Sequence, residues 1–146
     1  MPVIAVPFLS EWDIPENILL AVNKFEEQPG ILKPVFELAG LFNATIHVVI
    51  FTDADTAEAA DYLKHKRSIM AYEKKLRTHY KYTKIQSVHL DGQRFVETIE
   101  EYIVEQGIDI VAMVTHKRTL LGSVFSRSLT KKMTYNTKIP LLAIPA

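Results

Sequence analysis

Residues Ile108 to Ala146 read IDIVAMVTHKRTLLGSVFSRSLTKKMTYNTKIPLLAIPA, and the order of apolar and polar segments in this stretch decides the fold. Ile108 to Val114 is an unbroken apolar run of strand length. A polar, basic loop follows, then a helical stretch from about Ser128 to Asn136. A second apolar run, Leu141 to Ile144, comes after Pro140. Strand, loop, helix, strand is a parallel crossover unit, because parallel strands need a long connection to lie side by side. Ligands of open parallel sheets sit at the carboxyl ends of the strands, so the loop after Val114 is the first place to look for function.

The rest of the chain extends the same pattern upstream. Asn17 to Val22 (NILLAV) is a short buried strand. Pro29 and Gly30 open a helix whose apolar face carries Ile31, Val35, Leu38, Ala39 and Phe42 at helical spacing. Thr45 to Phe51 is the clearest strand by its β-branched content. Asp55 to about Tyr80 reads as a long charged helix that starts with an Asp-Thr cap signal. Ile85 to Leu90 is a strand, ended by Asp91 and Gly92. A helix with Phe95, Ile99 and Ile103 inward runs to Gly107, which stops it. Five strands alternating with helices predict an open five-stranded parallel sheet with helices on both faces, an α/β domain.

Composition agrees with one soluble domain. At 146 residues, with 48% hydrophobic and 23% charged residues, the chain can bury a core and is not of the disordered class. It has no cysteine, which excludes disulfide and thiol chemistry. No apolar run reaches the length of a membrane span and no signal peptide is evident, so the cytoplasm is the expected compartment and no membrane partner is expected. Net charge is zero but unevenly spread. Residues 1 to 63 carry two basic and ten acidic groups, whereas residues 64 to 146 carry fifteen basic and seven acidic ones. Either a polyanion surface or a solvated helix face beside an anion-attracting loop accounts for that. Without a nucleic-acid motif or an aromatic stacking pattern, the second reading stands and nucleic acid is not expected as a partner.

The strand-loop ending, with Thr115-His116 at its turn, resembles the universal stress protein family. There the strand runs into a glycine motif, G-x2-G-x9-G-S/T, whose backbone wraps the phosphates of ATP in the ATP-binding members. In this chain the same register runs without a gap, but Val114, Lys117 and Arg127 stand at the three glycines and Ser128 at the hydroxyl. Gly122-Ser123 falls five residues too early to serve. A phosphate-cradling loop needs glycine where the backbone turns with positive φ or approaches the anion closely, and β-branched Val114 is the least able to do so. Lys117, Arg118 and Arg127 retain the ability to attract phosphate as side-chain charges, in a different geometry.

The first strand gives a second comparison. ATP-binding members resemble V-P-T-D-F-S there, and the Asp holds the nucleoside. The matching stretch is Ala21 to Glu27, AVNKFEE. Phe25 takes the family Phe, which puts Lys24 at the Asp and Asn23 at the Thr. Lysine reverses the charge and cannot accept a hydrogen bond from ribose. The alternative match, Val6 to Glu11, also lacks the Asp. The candidate ligand-binding residues are therefore Asn23, Lys24, Val114, Thr115, His116, Lys117, Arg118, Arg127 and Ser128. No cofactor is expected; the alternative is weakly held ATP or AMP. The resemblance covers about 130 residues and implies a Rossmann-like sheet of strand order 3-2-1-4-5.

Residues 1 to 16 fall outside that unit, which spans 17 to 146. Met1 to Pro7 (MPVIAVP) matches Ile139 to Pro145 (IPLLAIP) in character at six of seven positions, with proline at the second and seventh in both. Many family members are tandem, so Met1 to Pro7 reads as the closing strand of a preceding domain and 8 to 16, with Trp12, as its linker. A chance apolar strand is the alternative. Fifth strands of the family often pair antiparallel in a dimer or between tandem domains. Val3 to Val6 is accordingly expected on the edge of Leu141 to Ile144, within the chain or in a mate, and the expected partner is a second copy or a tandem domain.

Catalytic constellations are thin. The five histidines, 47, 65, 79, 89 and 116, show no metal-ligand spacing. His116 beside Thr115 or Ser123 allows a general base for a hydrolase, or a side chain that fixes the loop. No carboxylate follows Asp109 to orient it, so no catalytic residue is assigned. Together these readings favour a non-catalytic stress-response or regulatory domain that works through dimerisation or a tandem partner. The runner-up is a nucleotide or phosphate-ligand sensor that uses the basic loop.

Overall fold

The structure, a computed structural model, describes residues 2–7, 13–22, 29–53, 59–92, 94–115 and 138–145; of 29, 53, 59–62 and 115 it describes the backbone. Six strands form one sheet. They are β1 (Val3–Ala5), β2 (Asn17–Val22), β3 (Thr45–Asp53), β4 (Ile85–Gly92), β5 (Ile110–Thr115) and β6 (Leu141–Pro145). The sheet order is β1-β6-β5-β2-β3-β4. Strands β2 to β6 are mutually parallel, and β1 lies antiparallel on β6. Read from the β4 edge, the five parallel strands run in the order 3-2-1-4-5 of their own sequence. The sixth strand, β1, is the extra edge strand expected beside Leu141 to Ile144, and its antiparallel pairing makes the sheet mixed.

The central strand shows why these sequences pair as they do. Ile18 to Val22 of β2 are each at most 2% exposed, because helices cover both faces. A strand buried on both sides needs a continuous apolar run, not alternation. Ile18, Leu20 and Val22 point into one cluster with Leu32, Val35, Phe36 and Ala39, and with Ile69, Tyr72 and Leu76. Those residues come from a 3₁₀ turn (Pro29–Leu32), from α1 (Lys33–Phe42) and from α2 (Ala59–Tyr80). Leu19 and Ala21 point the other way, onto Phe95 and Ile99 of α3 (Phe95–Gln106). Each fully buried Leu or Ile contributes roughly 1.5–3 kcal/mol.

Local chemistry sets the element ends. Pro34 falls in the first turn of α1, where its missing N–H is no loss. The helix stops at Asn43, whose left-handed φ of 53° turns its N–H back to Ala39 O. Gly107 ends α3 in the same way, with φ 62° and its N–H on Ile103 O, a conformation that costs glycine nothing. Gly92 serves closeness instead. A Cβ there would stand 2.7 Å from Thr98 Oγ1 of α3, and β4 continues through Asp91 and Gly92, where the sequence predicts a stop, by pairing with Thr52 and Asp53. The helix expected over Ser128 to Asn136 lies outside the described residues, as do residues 8–12 of the expected linker, Trp12 among them.

The edge pairing expected for Val3 to Val6 forms within the chain, where Val3, Ile4 and Ala5 pair with Ala143, Leu142 and Leu141. The charge asymmetry divides by face as well as by sequence half. Lys64, Lys66, Arg67, Lys74 and Lys75 are exposed on α2, over one face of the sheet. Glu97, Glu101 and Glu105 are exposed on α3, over the other.

Candidate functional site

Strand β2 is the switch point of the sheet. It bonds β3 on one side and β5 on the other, with Val22 opposite Ile50 and Ala21 opposite Met113. The connection from β2 to β3 carries α1 on one face, and the connection from β4 to β5 carries α3 on the opposite face. A crevice opens at the carboxyl ends of strands where crossovers part in this way. Residues 23–28 follow β2 and residues 116–137 follow β5 in sequence from those two ends, neighbouring strands about 4.8 Å apart.

The described floor of the crevice is apolar. Val22 and Val114 are 2% and 3% exposed and share one buried cluster with Ile50 and Ile144. Val114 stands opposite Ile144, and Thr115 opposite Pro145, in an unbroken parallel ladder. Among the described residues, positive φ occurs at Asn43, Lys81 and Gly107. Val114 is therefore an extended strand residue. As its place in the apolar run predicts, the valine stays in β5, and it joins the buried cluster that residues of α1 and α2 share. Of the other sequence-predicted site residues, Thr115 has its backbone at the end of β5. Asn23, Lys24, His116, Lys117, Arg118, Arg127 and Ser128 lie outside the described residues, the first two directly after β2 and His116 directly after β5.

Two polar clusters that the sequence reading did not single out are built into the described core. One sits at the amino ends of the strands. His47, 4% exposed, holds Asn17 Oδ1 at 3.0 Å with Nε2 and Tyr102 Oη at 2.9 Å with Nδ1. Asn17 Nδ2 donates to Gly107 O at 3.3 Å, which fixes the amide orientation. Asn17 Oδ1 can then only accept, so Nε2 carries the ring proton and Nδ1 accepts from the tyrosine hydroxyl. His47 is thus a satisfied core histidine. Burial lowers its pKa below the ordinary 6.5. A depressed histidine pKa stabilises the fold above the unfolded value, and that contribution is lost as pH falls through the folded value. Denaturant unfolding between neutral and mildly acid pH is expected to show this loss, and a His47→Gln chain is expected to show less of it.

The other cluster lies at the carboxyl ends of β3 and β4. Thr52, 3% exposed, brings Oγ1 to 2.8 Å from His65 Nδ1 and 2.7 Å from His89 Nε2. The signal for it is parity. Ile46, Val48 and Ile50 face α2 from β3, and Thr52 continues that series. Ile85 faces it from β4, and His89 has the same parity. His65 lies on the helix stripe of Ile69, Tyr72 and Leu76. Among the described residues no group of three or more His, Cys, Asp or Glu side chains could hold a metal ion, and no helix is long and apolar enough to cross a membrane.

A doubly wound α/β sheet with a crevice at its switch point defines the class of nucleotide-binding-type folds. The chain belongs to the universal stress protein family, whose model matches residues 15–145. Solved structures agree in fold. A universal stress protein from Archaeoglobus fulgidus superposes with a TM-score of 0.70 at 17% identity, over 88% of this chain and 98% of that one. Universal stress protein UspA from Lactobacillus plantarum gives 0.70 at 14% identity, over 90% and 99%. The universal stress protein from Archaeoglobus fulgidus in complex with dAMP gives 0.66 at 15% identity, over 90% and 99%. No curated protein matches the chain significantly.

Proposed function

We propose that this chain is a non-catalytic, regulatory member of its family in which the ATP site is largely lost, and that it acts through a second copy or a tandem domain. The observation that carries this reading is Val114. A buried strand residue stands where the family motif has its first glycine, and its side chain occupies the layer beneath the crevice. Lys24 at the acidic position of the first strand and Lys117 and Arg127 at the other glycines weigh the same way. Because β1 lies along β6 at Leu141 to Ala143, contact with a partner at that end of the sheet involves β1. Calorimetric titration with magnesium-ATP, with AMP alongside, tests the reading. A folded chain is expected to give no saturable heat in the micromolar range. Saturation there would replace it with the second reading, a nucleotide or phosphate-ligand sensor in which Lys24, Lys117, Arg118 and Arg127 supply the charge. The sequence position of Lys24 and Lys117 just after β2 and β5, the strands of the switch point, and the dAMP complex of a structural relative favour that alternative.

A further inference from the structure

We propose that Thr52, His65 and His89 form a proton-operated latch that holds the first half of α2 on the carboxyl ends of β3 and β4. Three secondary-structure elements each send one polar side chain from a core-facing position to a single point, the Thr52 hydroxyl. A hydroxyl has one hydrogen to donate. It therefore donates to one imidazole and accepts the N–H of the other, and the ring that accepts its hydrogen is neutral in this arrangement. Adding a proton to the accepting ring makes its nitrogen a donor. Two ring N–H groups then face one oxygen, and the hydroxyl hydrogen must turn away inside a site where Thr52 is 3% exposed. A buried polar hydrogen that loses its acceptor is destabilising.

Charge acts in the same direction. The two rings lie 6.3 Å apart, centroid to centroid. Burial lowers the pKa of His89; His65 and Lys66 lower it further, and Asp91 opposes them. Lys64 and Arg67 flank His65 on α2, and in sequence Asp53 follows Thr52 while Asp61 precedes His65 by one helical turn. With the folded pKa of His89 below 6.5, the latch is closed at neutral pH and opens as pH falls. Among the described side chains of this segment, Leu63, Lys64, Lys66 and Arg67 are exposed, and the first buried one is Ile69. Opening would loosen α2 beside β3, the strand that borders the crevice at the end of β2.

Amide hydrogen exchange on the native chain, corrected for intrinsic rates, reads this directly. Between about pH 7.5 and about pH 5.5, residues 63–68 are expected to exchange roughly tenfold faster, while the helix beyond Tyr72 changes less. In Thr52→Val the difference between the two pH values should vanish. Equal protection of 63–68 at both pH values in the native chain overturns the latch, as does undiminished acid loosening in Thr52→Val. If that variant does not fold, imidazole titration of the native chain by NMR decides. Displaced titrations, each ring responding to the other, support the latch; two independent titrations near pH 6.5 sink it. Acid destabilisation through His47 is distinguishable, because it raises exchange across the whole sheet and not in 63–68 alone.

Discussion

A Val114→Gly chain, which restores the first glycine of the family motif, is expected to lose about 3 kcal/mol of stability. Removing a fully buried valine forfeits roughly 1.5–3 kcal/mol of apolar transfer energy, and glycine in a strand adds roughly 0.5–1 kcal/mol of backbone entropy. The side chain is 3% exposed, packed with Val22, Ile50 and Ile144, and its strand is paired through to Thr115. The lost atoms therefore leave a hole rather than an open loop. Denaturant unfolding gives the number; a loss under about 1 kcal/mol would show that the strand already ends before 114. The same variant bears on function. If the valine alone closed the site, Val114→Gly would gain magnesium-ATP binding. No gain is expected, because Lys24, Lys117 and Arg127 remain.

Asp109→Ala is expected to cost about 2 kcal/mol, through hydrogen bonds to a charged group. The Asp109 carboxylate accepts the N–H of Glu16 at 2.8 Å and of Asn17 at 3.0 Å, both from Oδ2. Its own N–H donates to Asn17 O at 2.8 Å. These bonds tie the beginning of β2 to the beginning of β5, at the junction between the two halves of the sheet. They also hold Asn17 where it meets His47 and Gly107. Asp109→Asn keeps an acceptor and should lose about half as much. Equal stability of Asp109→Ala and the native chain in thermal melts would mean that water replaces the carboxylate at this partly exposed end.

Most of the sheet was legible in the residues. Asn17 to Val22 folds as the strand its apolar run predicts, and Thr45 opens β3 as its β-branched content predicts. Strand ends were less legible. Nothing local to Ile85 to Leu90 says that the ladder carries on through Asp91 and Gly92; Thr52 and Asp53 pair with them across the sheet. Asp109 looked notable only as the last carboxylate of the chain. Its role comes from Glu16 and Asn17, more than ninety residues away.

The candidate site divides along the same line. Sequence alone determined that bulky and cationic residues replace the glycines, because residue identity at a fixed spacing is a one-dimensional fact. It also determined the class of fold, since period and order of apolar runs restrict which faces can be buried. Only the tertiary structure decided that the strand ending at Val114 stays paired through Thr115, and that β1 closes on β6 of its own chain. Only it brought Thr52, His65 and His89 to one point. Burial and hydrogen-bond geometry are properties of neighbours in space, and those neighbours come from distant parts of the chain.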